Sequence, residues 1–92
     1  MDLIDAIIEN NIEMVKEFLQ NGVDPNLCLD AAKVCPLHFA AQDNRIEIGQ
    51  LLIASGADIN ACTYPENLTP LDIARLHGHT DFMELLMQSF DK

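Results

Sequence analysis

Apolar residues recur along this chain in short bursts at helical spacing. Leu37, Ala40 and Ala41 stand at i, i+3 and i+4, one narrow stripe along a short helix. Pro36, just before them, suits the first helical position, where its missing N–H is not needed. Asn44-Arg45 interrupts the pattern. Ile48, Leu51 and Leu52 then resume it until Ser55-Gly56, where a glycine suits a helix C-cap. Further on, Thr69 is placed as an N-cap, Pro70 at the first helical position and Asp72 at the third, where a carboxylate faces free backbone N–H groups. The pattern predicts short helices in pairs, each pair followed by a loop.

The pairs repeat. Shifted by 34 residues, Cys35-Pro36-Leu37-His38-Phe39-Ala40 falls on Thr69-Pro70-Leu71-Asp72-Ile73-Ala74. Gly22-Val23-Asp24-Pro25-Asn26 falls on Gly56-Ala57-Asp58-Ile59-Asn60. Leu3, Leu37 and Leu71 form one series, and Ala6, Ala40 and Ala74 another. The apolar pairs Phe18-Leu19, Leu52-Ile53 and Leu86-Met87 form a third. The small alanines allow neighbouring helices to approach closely.

Composition narrows the function. The 92 residues suffice for one domain, and 49% of them are apolar, as in ordinary globular proteins. Fifteen acidic against five basic residues give a net charge of −10, which repels nucleic acid and anionic membranes and favours a basic or mixed protein surface. No apolar run is long enough for a membrane span, and the first residues lack the pattern of a secretory signal. The three cysteines, Cys28, Cys35 and Cys62, are odd in number and form no C-x-x-C pair, so a reducing cytoplasm is expected.

The runs Leu68-Thr69-Pro70-Leu71-Asp72-Ile73-Ala74, Gly78-His79 and Leu52 to Ala61 resemble the ankyrin repeat, whose signature is T-P-L-H-x-A with a period near 33. The resemblance covers residues 3 to about 90. It implies an all-α solenoid, three stacked helix–turn–helix units with two β-turn fingers, in a single domain over residues 1–92. The units run approximately over 1–33, 34–67 and 68–92. The first unit opens directly on its first helix and the third lacks the Gly-Ala-Asp-x-Asn loop, so a whole array is expected.

Several positions depart from the family pattern. Both fingers are one residue long for the repeat, with the extra residue inside Leu27-Cys28-Leu29 and Ala61-Cys62-Thr63. In D-x-x-G-x-T-P, Asp30 and Tyr64 stand at the first position, and Lys33 and Asn67 replace the turn glycine. Asn tolerates a left-handed backbone and Lys does so poorly, so the first finger is expected to use a different turn. Gly49 sits inside a helix where its equivalents are Val15 and Met83, which points to close packing with Met83 filling the space. Cys35 takes an N-cap position although sulfur is a weak acceptor, so Thr there is expected to stabilise the fold. Cys28 and Cys62 are one period apart, roughly 9–10 Å in such a stack and beyond the ~7 Å disulfide limit, so three free thiols are expected.

Candidate chemistry is sparse. Cys35 and His38 resemble a Cys–His couple, but they match signature positions that serve the finger backbone. His77-Gly78-His79 with Asp72 and Asp81 offers metal-ligand types, yet His79 is at the family's Gly-His turn, and neither metal nor cofactor is expected. Asn67-Leu68-Thr69 is a glycosylation sequon followed by Pro70 and is discounted. Leu52 to Asn60 resembles the context of asparagine hydroxylation in ankyrin repeats, with Asn60 as the acceptor.

The resemblance therefore implies a non-enzymatic, monomeric module that binds another protein through a concave surface. The alternative is a regulatory subunit that occludes a partner enzyme's site. In the first finger and the helix after it, the resemblance places partner contacts at Ala31, Ala32, Val34, Gln42 and Asp43. In the second finger and the third unit it places them at Cys62, Tyr64, Glu66, Leu68, Leu76 and His77.

Overall fold

The computed structural model describes residues 2–28 and 31–90. Six helices occupy them: α1 (Leu3–Ile8), α2 (Ile12–Gln20), α3 (Pro36–Gln42), α4 (Ile46–Ala54), α5 (Pro70–Leu76) and α6 (Thr80–Phe90). Each consecutive pair packs together; α1, α3 and α5 form one row and α2, α4 and α6 a second. Ala6, Ala40 and Ala74 are fully buried in the first row, as their small size requires. Ile7, Leu37, Ile48, Leu52, Phe82 and Leu86 fill the seam between the rows.

Helix starts follow from side chains that satisfy free N–H groups. Asp2 accepts from the Asp5 N–H at 2.9 Å, Asn11 from Met14 at 3.2 Å and Thr69 from Asp72 at 3.1 Å. Asp72 in turn accepts from the Thr69 N–H at 3.0 Å, which completes a capping box. The turn inside each pair uses a left-handed residue at the same register: Asn10 (φ 56), Asn44 (φ 55) and Gly78 (φ 69). Lys33 (φ 56) and Asn67 (φ 59) likewise share one conformation. The first finger therefore keeps the family's left-handed turn residue despite carrying lysine, contrary to the sequence expectation; the surrounding turn overrides the side-chain preference.

Adjacent units are also joined by polar links. The Arg45 Nη2 donates to the Ile8 carbonyl at 3.3 Å, and one unit on the His79 Nδ1–H donates to the Ala41 carbonyl at 2.9 Å. Asn26 donates to the Gly56 carbonyl at 3.0 Å and accepts from the Asp58 N–H at 2.7 Å, tying one loop to the next. Asp24 and Asp58 hold their own loops by accepting from the N–H two residues on, at 2.8 and 2.9 Å.

Gly49 is a close-packing glycine, but its partner is Phe82 and not Met83. A Cβ at position 49 would lie 2.8 and 2.9 Å from Phe82 Cε2 and Cζ and 3.1 Å from Leu85 Cδ2. Phe82 stands one period after Ile48, so the larger side chain in α6 is matched by the smallest residue in α4. Gly49→Ala gains up to about 1 kcal/mol in helix propensity, whereas overpacking costs about 1–3 kcal/mol. Because Phe82 is fully buried, the second effect wins. The expected outcome is a lower urea midpoint for Gly49→Ala, largely restored in Gly49→Ala/Phe82→Leu; a stabilised single variant would show that the ring moves freely.

Candidate interaction surface

His38 organises the surface on which the predicted contacts lie. Its ring is fully buried at the start of α3. Nδ1 accepts from the Cys35 N–H at 3.0 Å, and Nε2 lies 3.1 Å from the Ala61 carbonyl and 2.9 Å from that of Leu68. Two carbonyls on one nitrogen and an N–H on the other fix the neutral tautomer with the proton on Nε2. The Cys–His pairing thus lacks nucleophilic capacity, since both ring nitrogens hold backbone.

The second finger is built on that anchor. The Thr63 N–H donates to the Leu68 carbonyl at 2.9 Å, the Asn67 N–H to the Thr63 carbonyl at 2.9 Å, and the Leu68 N–H to the Thr63 hydroxyl at 3.0 Å. The Tyr64–Pro65 peptide is cis. The Tyr64 N–H donates to the Ala32 carbonyl at 2.8 Å, which sets the two fingers side by side.

Of the predicted contact residues, Ala31, Gln42, Cys62, Tyr64, Glu66, Leu76 and His77 are exposed, with Tyr64 at 61% and Leu76 at 71%. Ala32, Val34, Asp43 and Leu68 are half-buried, and Ala32 and Leu68 also carry hydrogen bonds within or between the fingers. Gln42 and Leu76 end their helices, and Asp43 and His77 are the C-caps that come next. Ile8, 46% exposed, belongs to the same row one period before Gln42. It is absent from the contacts expected from sequence, although the repeat register points to it.

The cysteines correct the expectation of three free thiols. Cys28 and Cys35 form a disulfide seven residues apart, and Cys62 is free and exposed. The distance limit excludes only the pair one period apart, whereas the bond joins two residues at the base of one finger, seven positions apart. Cys35 is buried and its sulfur is held in the disulfide, so Thr in its place would sever this bond and no gain is expected. Titration under denaturing, non-reducing conditions should find one thiol, and three after reduction. Three before reduction would overturn the bond.

His77 and His79 stack with ring centroids 5.6 Å apart, and the latter is tied to Ala41. Among the described residues, no group of three or more metal-ligating side chains converges. A groove of about 440 Å³ on the second-helix side is lined by Gln50, Ile53, Ala54, Leu85, Gln88 and Ser89, away from the fingers. No described helix is long and apolar enough to cross a membrane.

Helix pairs stacked in two rows define a repeat solenoid, a fold whose extended surface binds other macromolecules. Residues 3–92 match the family model for ankyrin repeats, in three copies, and the chain belongs to the ankyrin-repeat family. Ankyrin repeats are generally protein–protein interaction modules. None of the curated proteins compared matches the chain.

Burial holds the His38 pKa below its ordinary 6.5, because the charged ring would lose its water; the bonds to the Leu68 and Ala61 carbonyls oppose this less strongly. Between the two pKa values the unfolded chain binds more protons than the folded one, so stability rises with pH. The contribution is complete above 6.5 and is lost as pH falls from there towards the folded value. Asp72 acts in a separate window: the Thr69 N–H lowers its carboxyl below 3.8, and its contribution is lost only as pH falls below that. The urea midpoint should therefore drop between pH 7 and 5, and His38→Gln should flatten that drop while costing on the order of 1–3 kcal/mol at pH 7. An equal slope in the variant would assign the dependence elsewhere.

Proposed function

We propose that the chain is a non-enzymatic, monomeric binding module that engages a protein partner through its fingers and the ends of its first helices. The supporting observation is Tyr64. A tyrosine 61% exposed on a finger pinned from beneath by a buried His38 is a rigid aromatic anchor with little ordering cost. Around it, this reading recruits Ala31, Glu66 and Cys62 on the fingers and Gln42, Asp43, Leu76 and His77 at the helix ends. Ala32, Val34 and Leu68, half-buried, complete the contacts, and Ala32 and Leu68 also hold the fingers in shape.

The net charge of −10 favours a partner with a basic or mixed surface, with attraction contributing mainly to association rate and specificity. Occlusion of an enzyme's site is one way such a surface acts, and an activity assay of the captured partner separates that case.

The test is binding to a partner isolated from native extract. Tyr64→Ala is expected to weaken it by ~2 kcal/mol, about thirtyfold, and Asp43→Ala by a smaller factor, with melting temperatures nearly unchanged. Glu47→Lys, on the second-helix side, should leave binding nearly intact. Loss of binding in Glu47→Lys, with both other variants unaffected, would move the site to the opposite face.

A further inference from the structure

The first unit differs from the second at one position with large consequences. Ile4 stands one period before His38 and has no ring to reach the finger base. One unit on, the His38 ring occupies the space between its helix and Ala61, the equivalent of Leu27. In the first unit, among the described residues, that space is open: a cleft of about 190 Å³ is lined by Ile4, Phe18, Val23, Leu27 and Pro36, with Asp2 as its polar group. An apolar cavity of about 150 Å³ holds a benzene ring, so this one accommodates a phenyl or isobutyl side chain. The disulfide joins Cys28 to Cys35, each adjacent in sequence to a wall residue, Leu27 and Pro36, and so holds the two walls together.

Charge selects the occupant. Residues 2–28 carry six acids, Asp2, Asp5, Glu9, Glu13, Glu17 and Asp24, against one base, Lys16, which pairs with Glu13 at 3.8 Å. Asp2 lines the cleft and Asp24 follows its wall residue Val23; neither has an ion-pair partner among the described residues. An apolar side chain entering here meets the Asp2 carboxylate at the cleft, with Asp24 next in sequence to its wall.

We propose that this cleft is a second docking site, for a partner segment that presents one aromatic or branched aliphatic side chain between lysines or arginines. The site goes beyond the finger surface and shares none of its residues. Burial of the side chain supplies the attraction, and the flanking cations meet Asp2 and Asp24.

The probe is the peptide acetyl-Lys-Lys-Phe-Lys-Lys-amide, titrated into the oxidised full chain and followed by methyl NMR. Saturable shifts are expected at Ile4, Val23 and Leu27. Replacing the four lysines of the peptide by serine should weaken binding at least tenfold, and Asp2→Asn with Asp24→Asn several-fold. Ile4→His, which rebuilds the filling of the second unit, should abolish the shifts. Leu27→Lys, at an exposed position, should do the same by placing a cation at the cleft.

Tyr64→Ala should leave peptide binding unchanged, which separates failure here from failure of the finger surface. Shifts that bypass Ile4 and Leu27, equal affinity for the serine peptide, or undiminished binding to both Ile4→His and Leu27→Lys would overturn the proposal. Self-association that shifts the same methyls without peptide would overturn it too, by making a second copy the occupant.

Discussion

Three hydrogen bonds from one buried imidazole hold the middle of this molecule together. His38 caps its own helix through the Cys35 N–H and fastens the next finger through the Ala61 and Leu68 carbonyls. The Cys35 N–H would otherwise be desolvated without a partner, and a buried orphan group costs more than a single bond gains; the Leu68 carbonyl also accepts from the Thr63 N–H. The ring must stay neutral to do this, so the same constraint that shapes the finger also makes stability sensitive to acid. Tyr64 is presented on a fixed finger because the finger's feet are held from below.

The two neighbouring units lack that ring, and each resolves its absence differently. In the first, Ile4 leaves an apolar cleft between helix and finger. In the third, Asp72 takes the position and turns to its own N-cap, Thr69, and to Arg75 at 3.6 Å. One period, three residues and three different surfaces result from the hydrogen-bonding capacity of each side chain.

Elsewhere the repeat keeps its geometry while changing its chemistry. The link between neighbouring turns is a guanidinium on Ile8 in one place and an imidazole on Ala41 in the next. The left-handed turn residue is Asn, Asn or Gly inside the pairs and Lys or Asn in the fingers. Where a side chain grows, a neighbour shrinks, as with Phe82 against Gly49. A stack of this kind constrains shape at each interface and leaves the outward-facing residues free to vary. Specificity in such a stack is carried by outward-facing side chains, which no packing rule dictates.

The helix pairs, their period and the family were legible in the order of amino acids, because these depend on local capping chemistry and on apolar spacing that recurs every 34 residues. Thr69-Pro70-Leu71-Asp72 announces a helix start wherever it occurs, and the alanine series announces close helix approach. The acidic balance and the exposed ends of the first helices were legible in the same way. Which side chains meet across units was settled only by packing in three dimensions. Nothing local to Gly49 names Phe82, thirty-three residues on, as its partner in place of Met83. Nothing in the cysteine spacing shows that Cys28 meets Cys35, and the repeat register, which keeps Cys28 and Cys62 apart, points to free thiols instead. Lys33 adopts a left-handed backbone that its own preference resists, because the finger around it fixes the turn. The cleft beside Ile4 exists only as the difference between two packed units, a quantity that no single stretch of sequence contains.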